Sequence, residues 1–482
     1  MTAVGTPPPG ATAHRPPSGR SPGRSPGRSP VALVAPAAGA VVAVTAAGAV
    51  VGPLEAVAAG AALALLVGVA VRPVAAVHVY VATLPFVAGI ERGSLIPLLR
   101  PNEALFALLV AGAVLGAYLR FVRGDEVRFR FGPLDLPLLV FVLFSTLWPV
   151  AWLLLRGTVP TGSDLAALLP VVKLVGLLVL VRVTIRTGDQ LLRLARLVIR
   201  TAAVIGVIAV LQTLQFRPVL AVLETNWMDP NLDPVELTER GTTTLASSIA
   251  TGDYVVIALA LLVGLAARGL VGRRETVLAA LPLLAGALAA GQFSTWASAV
   301  VVGAGLLVLH PPLRRIAVRL LPVAVVGVLL GLPAFVTRVA EFGDGYGVPR
   351  SWLGRWDNLV TFYLPGLGDL RWVLGVSPDS VLQAPETWRD EIYLEYGYLQ
   401  FLWVGGVPLL IAFLWLSVRV LRSARECAAR PDVAGAYGST LWVVWWMVLV
   451  LSVIDIHLVL RGAGELIFIC LAVVSGRAHD RG

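Results

Sequence analysis

WRDEIYLEYGYLQFLWVGG runs from Trp388 to Gly406 and passes straight into the apolar run Val407 to Leu416. Arg389, Asp390, Glu391 and Glu395 crowd its opening, and Tyr398, Leu399, Phe401, Leu402 and Trp403 follow. With its continuation, the stretch is long and apolar enough to cross a bilayer as a helix. The charges at its mouth are either a solvated anchor or a working site. The fold class follows from the run itself: membrane-crossing helix.

The rest of the chain agrees. Of 482 residues, 57% are hydrophobic and only 14% are charged, whereas a soluble domain carries roughly a quarter charged residues. An all-α polytopic transmembrane bundle is expected, with the lipid bilayer as its surroundings. The formal charge of +9 is almost wholly arginine, because Lys173 is the only lysine. Its placement along the chain accounts for it better than nucleic acid does, so no nucleic-acid partner is expected. Cys427 and Cys470 offer neither a disulfide framework nor zinc spacing. Met1 to Pro30 shows no apolar core of a signal peptide. Its repeat SGRSPGRSPGRSP, Ser18 to Pro30, reads as a disordered tail.

Apolar runs of spanning length fall near 31–51, 54–72, 74–90, 104–122, 133–155, 165–183 and 192–215. Further runs lie near 246–267, 275–291, 294–310, 317–339, 393–419, 438–456 and 462–476. The total is about 12–14 helices. Arginine placement provides an independent check. Every second connection is basic: Arg120, Arg123, Arg128 and Arg130; Arg182, Arg186, Arg193 and Arg196; Arg268, Arg273 and Arg274; Arg314, Arg315 and Arg319; Arg419, Arg422, Arg425 and Arg430. Cytoplasmic connections carry such arginine, so both termini are expected in the cytoplasm, with the tails 1–30 and 477–482 flanking a membrane domain at 31–476. The two longest connections, about 216–247 and 340–392, are then extracytoplasmic.

These long connections mix arginine, acid and aromatics, as in NWMDPNLDPVELTERGTTT (Asn226 to Thr244) and GVPRSWLGRWDNLVTFYLPGLGDLRWVLGVSPDS (Gly347 to Ser380). Arg240, Arg350, Arg355, Arg371 and Arg389 all fall on the side where arginine is disfavoured. Guanidinium groups pair bidentately with phosphate oxygens, so an arginine-lined cavity there suits a phosphorylated, lipid-borne ligand. Lys173 sits mid-helix, where an ionisable residue is functional by default, and is read as a supporting or transport residue. His78, His310 and His457 are read as ordinary interfacial residues, and Asp253, Glu395 and Glu465 as carboxylates near helix ends. No D-x-D triplet, Walker loop or G-x-G-x-x-G supports nucleotide chemistry.

RWDNLVTFYLPGLGDLRWVLGV, Arg355 to Val376, resembles a segment of the O-antigen ligase and polymerase family: Arg, Trp, then a "pl-x-G-x-G" turn. DEIYLEYGYLQFLWVGGVPLL resembles that family's "H-N-x-Y-L-x-x-x-x-x-G-x-x-G" helix start, and TERGTTTLASSIATGDYVVIAL, Thr238 to Leu259, is similar to its Arg-x-x-G loop leading into a helix. The resemblance implies a metal- and cofactor-independent glycosyltransferase of the bacterial cytoplasmic membrane. Such proteins move a glycan from a polyprenyl-diphosphate carrier to a glycan or lipid acceptor on the extracytoplasmic face. By the same resemblance Arg240 and Arg355 hold the diphosphate; Arg371 and Arg389, from their placement in the same connections, are expected to join them, with Glu395 in support. Asp390 and Glu391 stand where the family has His and Asn, so one of them is expected to be the base. If the helix begins there, the two diverge by about 100 degrees, and Glu395 shares the face of Glu391. Two alternatives stay open: a transporter or flippase for a lipid-linked saccharide, and an inactive relative.

Overall fold

The computed structural model describes residues 53–94, 97–124, 131–227, 240–315, 318, 350–384 and 391–477. Met1–Ala64 and Leu65–Gly482 are separate compact units, and the account below concerns the second. The expected tail at 1–30, the expected helix near 31–51 and, apart from residue 318, the one near 317–339 lie outside the described residues.

In chain order the helices are α1 (Pro53–Val71), α2 (Val74–Val87), α3 (Pro101–Val122), α4 (Asp135–Leu155), α5 (Gly162–Thr184), α6 (Gly188–Thr213) and α7 (Arg217–Trp227). There follow α8 (Ser248–Ala266), α9 (Arg273–Ala289), α10 (Phe293–Leu309), α11 (Arg350–Asn358) and α12 (Arg371–Leu374). A two-residue hairpin, β1 (Leu382–Gln383) with β2 (Glu391–Ile392), precedes α13 (Gly397–Ala428), α14 (Val433–Leu451) and α15 (Ala463–Arg477). Among the described residues, α3, α4, α5, α6, α8, α13 and α14 are long and apolar enough to cross a membrane. The protein is a multi-pass helical membrane bundle.

Burial sorts these helices into layers. In α8 and α14, 78% of the apolar window is buried inside the protein, against 22% in α3. A helix that is apolar all round and surrounded by protein is central. Around this pair, leucines such as Leu136, Leu139, Leu143, Leu147 and Leu154 on α4 remain exposed in a continuous stripe. An apolar stripe of that length on an outer helix suits contact with lipid.

Contacts between the described connections gather at two ends. At one end Arg182 pairs with Asp135, Arg196 with Glu275, and Arg268 donates to the carbonyls of Ala428 and Arg430. At the other, Trp227 Nε1 donates to Phe86 O, Gly241 N to Ala289 O, and Ser377 Oγ to Asp164.

Both α4 and α13 depart from regular geometry. In α4 a π-turn at Leu143–Leu147 precedes Pro149, which has no N–H to donate, and Thr146 Oγ1 bonds Val142 O at 2.6 Å. In α13 the backbone at Gly406 leaves the helix (φ 67°, ψ −162°), a conformation essentially reserved for glycine. A Cβ at Gly406 would lie 2.2 Å from Val373 O, so the break lets the segment around α12 pack against α13.

One expectation is corrected. The last long connection does not enter its helix at Asp390. Glu391 is in β2, the helix begins at Gly397, and Glu391 and Glu395 therefore share no helix face.

Candidate functional site

The segment 371–377 is pinned from two sides. Residues 148, 152 and 156 form one stripe along α4 and its cap, four residues apart. Trp148 Nε1 donates to Leu374 O (2.9 Å), Trp152 Nε1 to Gly375 O (3.0 Å) and Arg156 to Val376 O. From α13, Trp403 O accepts Val376 N at 2.6 Å. Beside it, Leu359, Tyr363, Leu367, Ile392, Leu394 and Trp403 form a small core of their own. The second long connection is thus a built structure, closed by Tyr363 OH donating to Ser380 O (2.7 Å) and Ile392 O (3.0 Å).

This framework carries Arg355, on α11, to the start of α13 and the turn after α14. Its Nε pairs with Glu395, its Nη1 donates to Ile454 O (3.1 Å), and its Nη2 lies 3.6 Å from Asp455 Oδ2. All three nitrogens of the guanidinium already face a partner, which leaves only part of its five N–H donors for a diphosphate. Asp455 is buried, and burial pushes its carboxyl up, with the nearby Arg355 charge opposing that rise.

Two residues further on, His457 is fully buried against α8. Its Nδ1 lies 2.6 Å from Asp253 Oδ2, and Ser298 Oγ on α10 donates to Asp253 Oδ1 at 3.0 Å. Burial alone would lower the imidazole's affinity for a proton. The Asp253 charge and hydrogen bond outweigh it, so the net shift is upward. Nε2 of His457 is buried and, among the described residues, has no hydrogen-bond partner. An imidazole oriented by a carboxylate on one nitrogen, with the other uncommitted, is the arrangement that general bases use.

The remaining expected residues are distributed around this centre. Arg240 opens the segment 240–247, which is clamped to α6 by Gln212: Nε2 donates to Thr242 Oγ1 and Oε1 accepts from Thr243 N, both at 2.9 Å. That segment leads into α8, the helix that carries Asp253. Lys173 is not at Arg355. It forms a buried pair with Glu465 (2.6 Å), whose Oε2 accepts Gly462 N at 2.8 Å. Nearby, burial and the charges of Arg461 and Arg92 pull the Arg100 guanidinium down to about 9. Arg371 is exposed on α12. Glu391 accepts from Gln383 Nε2 (2.9 Å) and Tyr393 OH (3.1 Å), at the surface. Arg389 and Asp390 lie outside the described residues.

Sequence reading joined Arg355 and Glu395 to one region, and the structure pairs them. It missed Asp253, Asp455 and His457 as a group. The only local signal is the spacing Asp455-x-His457, which gives no hint of a partner 204 residues away. Among the described residues no three His, Cys, Asp or Glu side chains are placed to hold a metal ion. Comparison of the sequence with protein-family models and with curated proteins finds no match to either.

Proposed function

We propose that this protein is a glycan polymerase or ligase of the O-antigen ligase type in the bacterial cytoplasmic membrane. In this reading the end bearing the long connections faces outward and both termini are cytoplasmic. The donor is a polyprenyl-diphosphate-linked glycan and the acceptor a glycan or lipid hydroxyl. Three motif resemblances in the family's order support it, and the observation that carries it is the His457–Asp253 pair beside Arg355. In transfer, the acceptor oxygen bonds the anomeric carbon, and the bond to the carrier diphosphate breaks with its electron pair leaving on the diphosphate. The acceptor's proton goes to Nε2 of His457. Asp253 fixes the tautomer and stabilises the imidazolium, and arginine charge stabilises the leaving diphosphate. His457 thus takes the proton-accepting role that sequence gave to Asp390 or Glu391.

The test is deletion complemented by H457Q and D253N variants, reading surface-glycan chain length and accumulated carrier-linked oligosaccharide. Loss of long chains with carrier-linked material accumulating is the expected result. Normal glycan in both variants sinks the assignment.

A second reading, a transporter for a lipid-linked saccharide, draws on the buried Lys173–Glu465 pair, because paired ionisable groups inside a bundle mark transport routes. It is favoured instead if the variants leave carrier-linked saccharide on the cytoplasmic leaflet.

A further inference from the structure

The surface of α4 presents an arrangement that the His457–Asp253 pair does not use. Arg156 caps the helix, directly after the exposed Leu154 and Leu155. Its guanidinium lies 5.6 Å from the centre of the Trp152 ring, and Trp152 stacks with Trp148 at 6.3 Å and an interplanar angle of 5°. Arg371 follows the exposed Leu370 and precedes the half-exposed Trp372. The three hydrogen bonds from Trp148, Trp152 and Arg156 to residues 374–376 hold the Arg371 segment against this same helix end. Arg371 is close enough for its charge, after burial, to disfavour the Arg156 cation.

Arg156 by itself has an ordinary explanation. A cation at a helix C-terminus complements the helix dipole, and it packs on an indole. Arg371 has none. Among the described residues neither guanidinium has a carboxylate partner, and Asp164 close by is committed to Thr161 and Ser377. Two like charges held together by a rigid framework repel, and that arrangement is relieved by an anion between them. The apolar side chains bordering them (Leu147, Leu154, Leu155, Leu370 and Trp372) are exposed. Cations at the rim of an apolar stripe match an amphiphile with an anionic head and a hydrocarbon tail.

We infer that Arg156 and Arg371 form a binding site for a lipid-borne phosphate headgroup, its chain running along the exposed leucines of α4. Guanidinium forks suit phosphoryl oxygens, and Trp152 and Trp372 suit the boundary between headgroup and chain. The inference deepens the proposed function by giving the lipid carrier a lateral point of access. It rests on that reading only for the carrier's identity.

Binding is measured on the purified full-length protein in detergent, by calorimetry, with farnesyl diphosphate as the probe. Farnesol and inorganic pyrophosphate serve as comparators. R156Q and R371Q are each expected to weaken farnesyl diphosphate about tenfold or more, with R156K retaining part of the affinity. Pyrophosphate should bind at least about tenfold more weakly than the farnesylated form, because it lacks the chain. Melting curves of each variant establish that it is folded. Phosphatidylglycerol competes in a second arm. Displacement of the probe makes a bilayer phospholipid the natural occupant, and binding that persists in excess phospholipid makes it a diphosphate carrier; both keep the site. Full affinity in the R156Q/R371Q double variant overturns it, as does pyrophosphate binding as tightly as farnesyl diphosphate. Glycan output is read separately in cells. Binding lost with glycan unchanged counts against transfer through this site and leaves the lipid site standing.

Discussion

The imidazole of His457 and the carboxylate of Asp253 meet at 2.6 Å with neither side chain exposed to solvent. They come from the turn after α14 and the first half of α8, two of the most enclosed helices of the bundle. Nothing local in either sequence stretch announces the contact.

This pair sets a pH dependence. Asp253, Asp455 and Arg355 are the charged groups that act on His457, and their balance raises its proton affinity above the ordinary 6.5. Asp455 is also raised, above its ordinary 3.8, by burial. A group that binds its proton more tightly when folded stabilises the fold below its unfolded value and loses that contribution as pH rises through the folded one. Both groups therefore act in one direction. The melting temperature is expected to fall as pH rises above about 6.5, and to fall less in H457Q. A wild-type melting temperature that climbs through that interval would reverse the assignment.

The two candidate bases separate by amide substitution. Glu391→Gln changes a surface carboxylate already bonded by Gln383 and Tyr393, so glycan output should stay near wild type. H457Q should lower the transfer rate by roughly 100-fold or more, the usual loss for a general base. The opposite ranking would return the role to the acids before α13.

Gly406 is a stringent position. Gly406→Ala places a side chain at φ 67°, ψ −162° and against Val373 O. The backbone strain alone costs of the order of 1–3 kcal/mol, and the 371–377 segment must shift as well. A lowered melting temperature and faster proteolysis around Ser377 are expected; an unchanged protein would mean that the break in α13 is not required.

For Lys173 and Glu465 the comparison is between single and double variants. Lys173→Leu leaves Glu465 buried with an uncompensated charge, a loss typically about 3–5 kcal/mol, whereas K173L/E465L removes both charges and should recover much of it. Melting of the three proteins in detergent measures the difference. If the double variant is no better than the single ones, the pair does more than neutralise itself.

Helix positions were legible because the bilayer imposes length and apolarity on every span, and arginine independently marks alternate connections. Each expected span within the described residues overlaps a helix, though α13 runs nine residues past its expected end and α14 lies five residues before its expected place. The start of α13 is informative. Tyr393 and Leu394 extended the apolar run preceding α13, yet Tyr363 OH bonds Ile392 O and draws that stretch into the loop's own small core. Arg355 was legible as a cation in an unusual place, but its neutralisation by Glu395 and Asp455 depends on how three connections fold over one another. The α4 ladder to residues 374–376 was equally hidden, since nothing local to Trp148 or Trp152 names carbonyls more than 220 residues away.

The Lys173–Glu465 contact also has a consequence for biosynthesis. Lys173 lies at the middle of α5, and its partner arrives only with α15, almost three hundred residues later. A lone lysine at the centre of a span opposes insertion by about 2.5–3.5 kcal/mol. Throughout translation of the intervening helices, α5 is an incomplete guest of the bilayer, held by early neighbours and the insertion machinery. A ribosome that stops before α15 leaves an orphaned charge in the membrane.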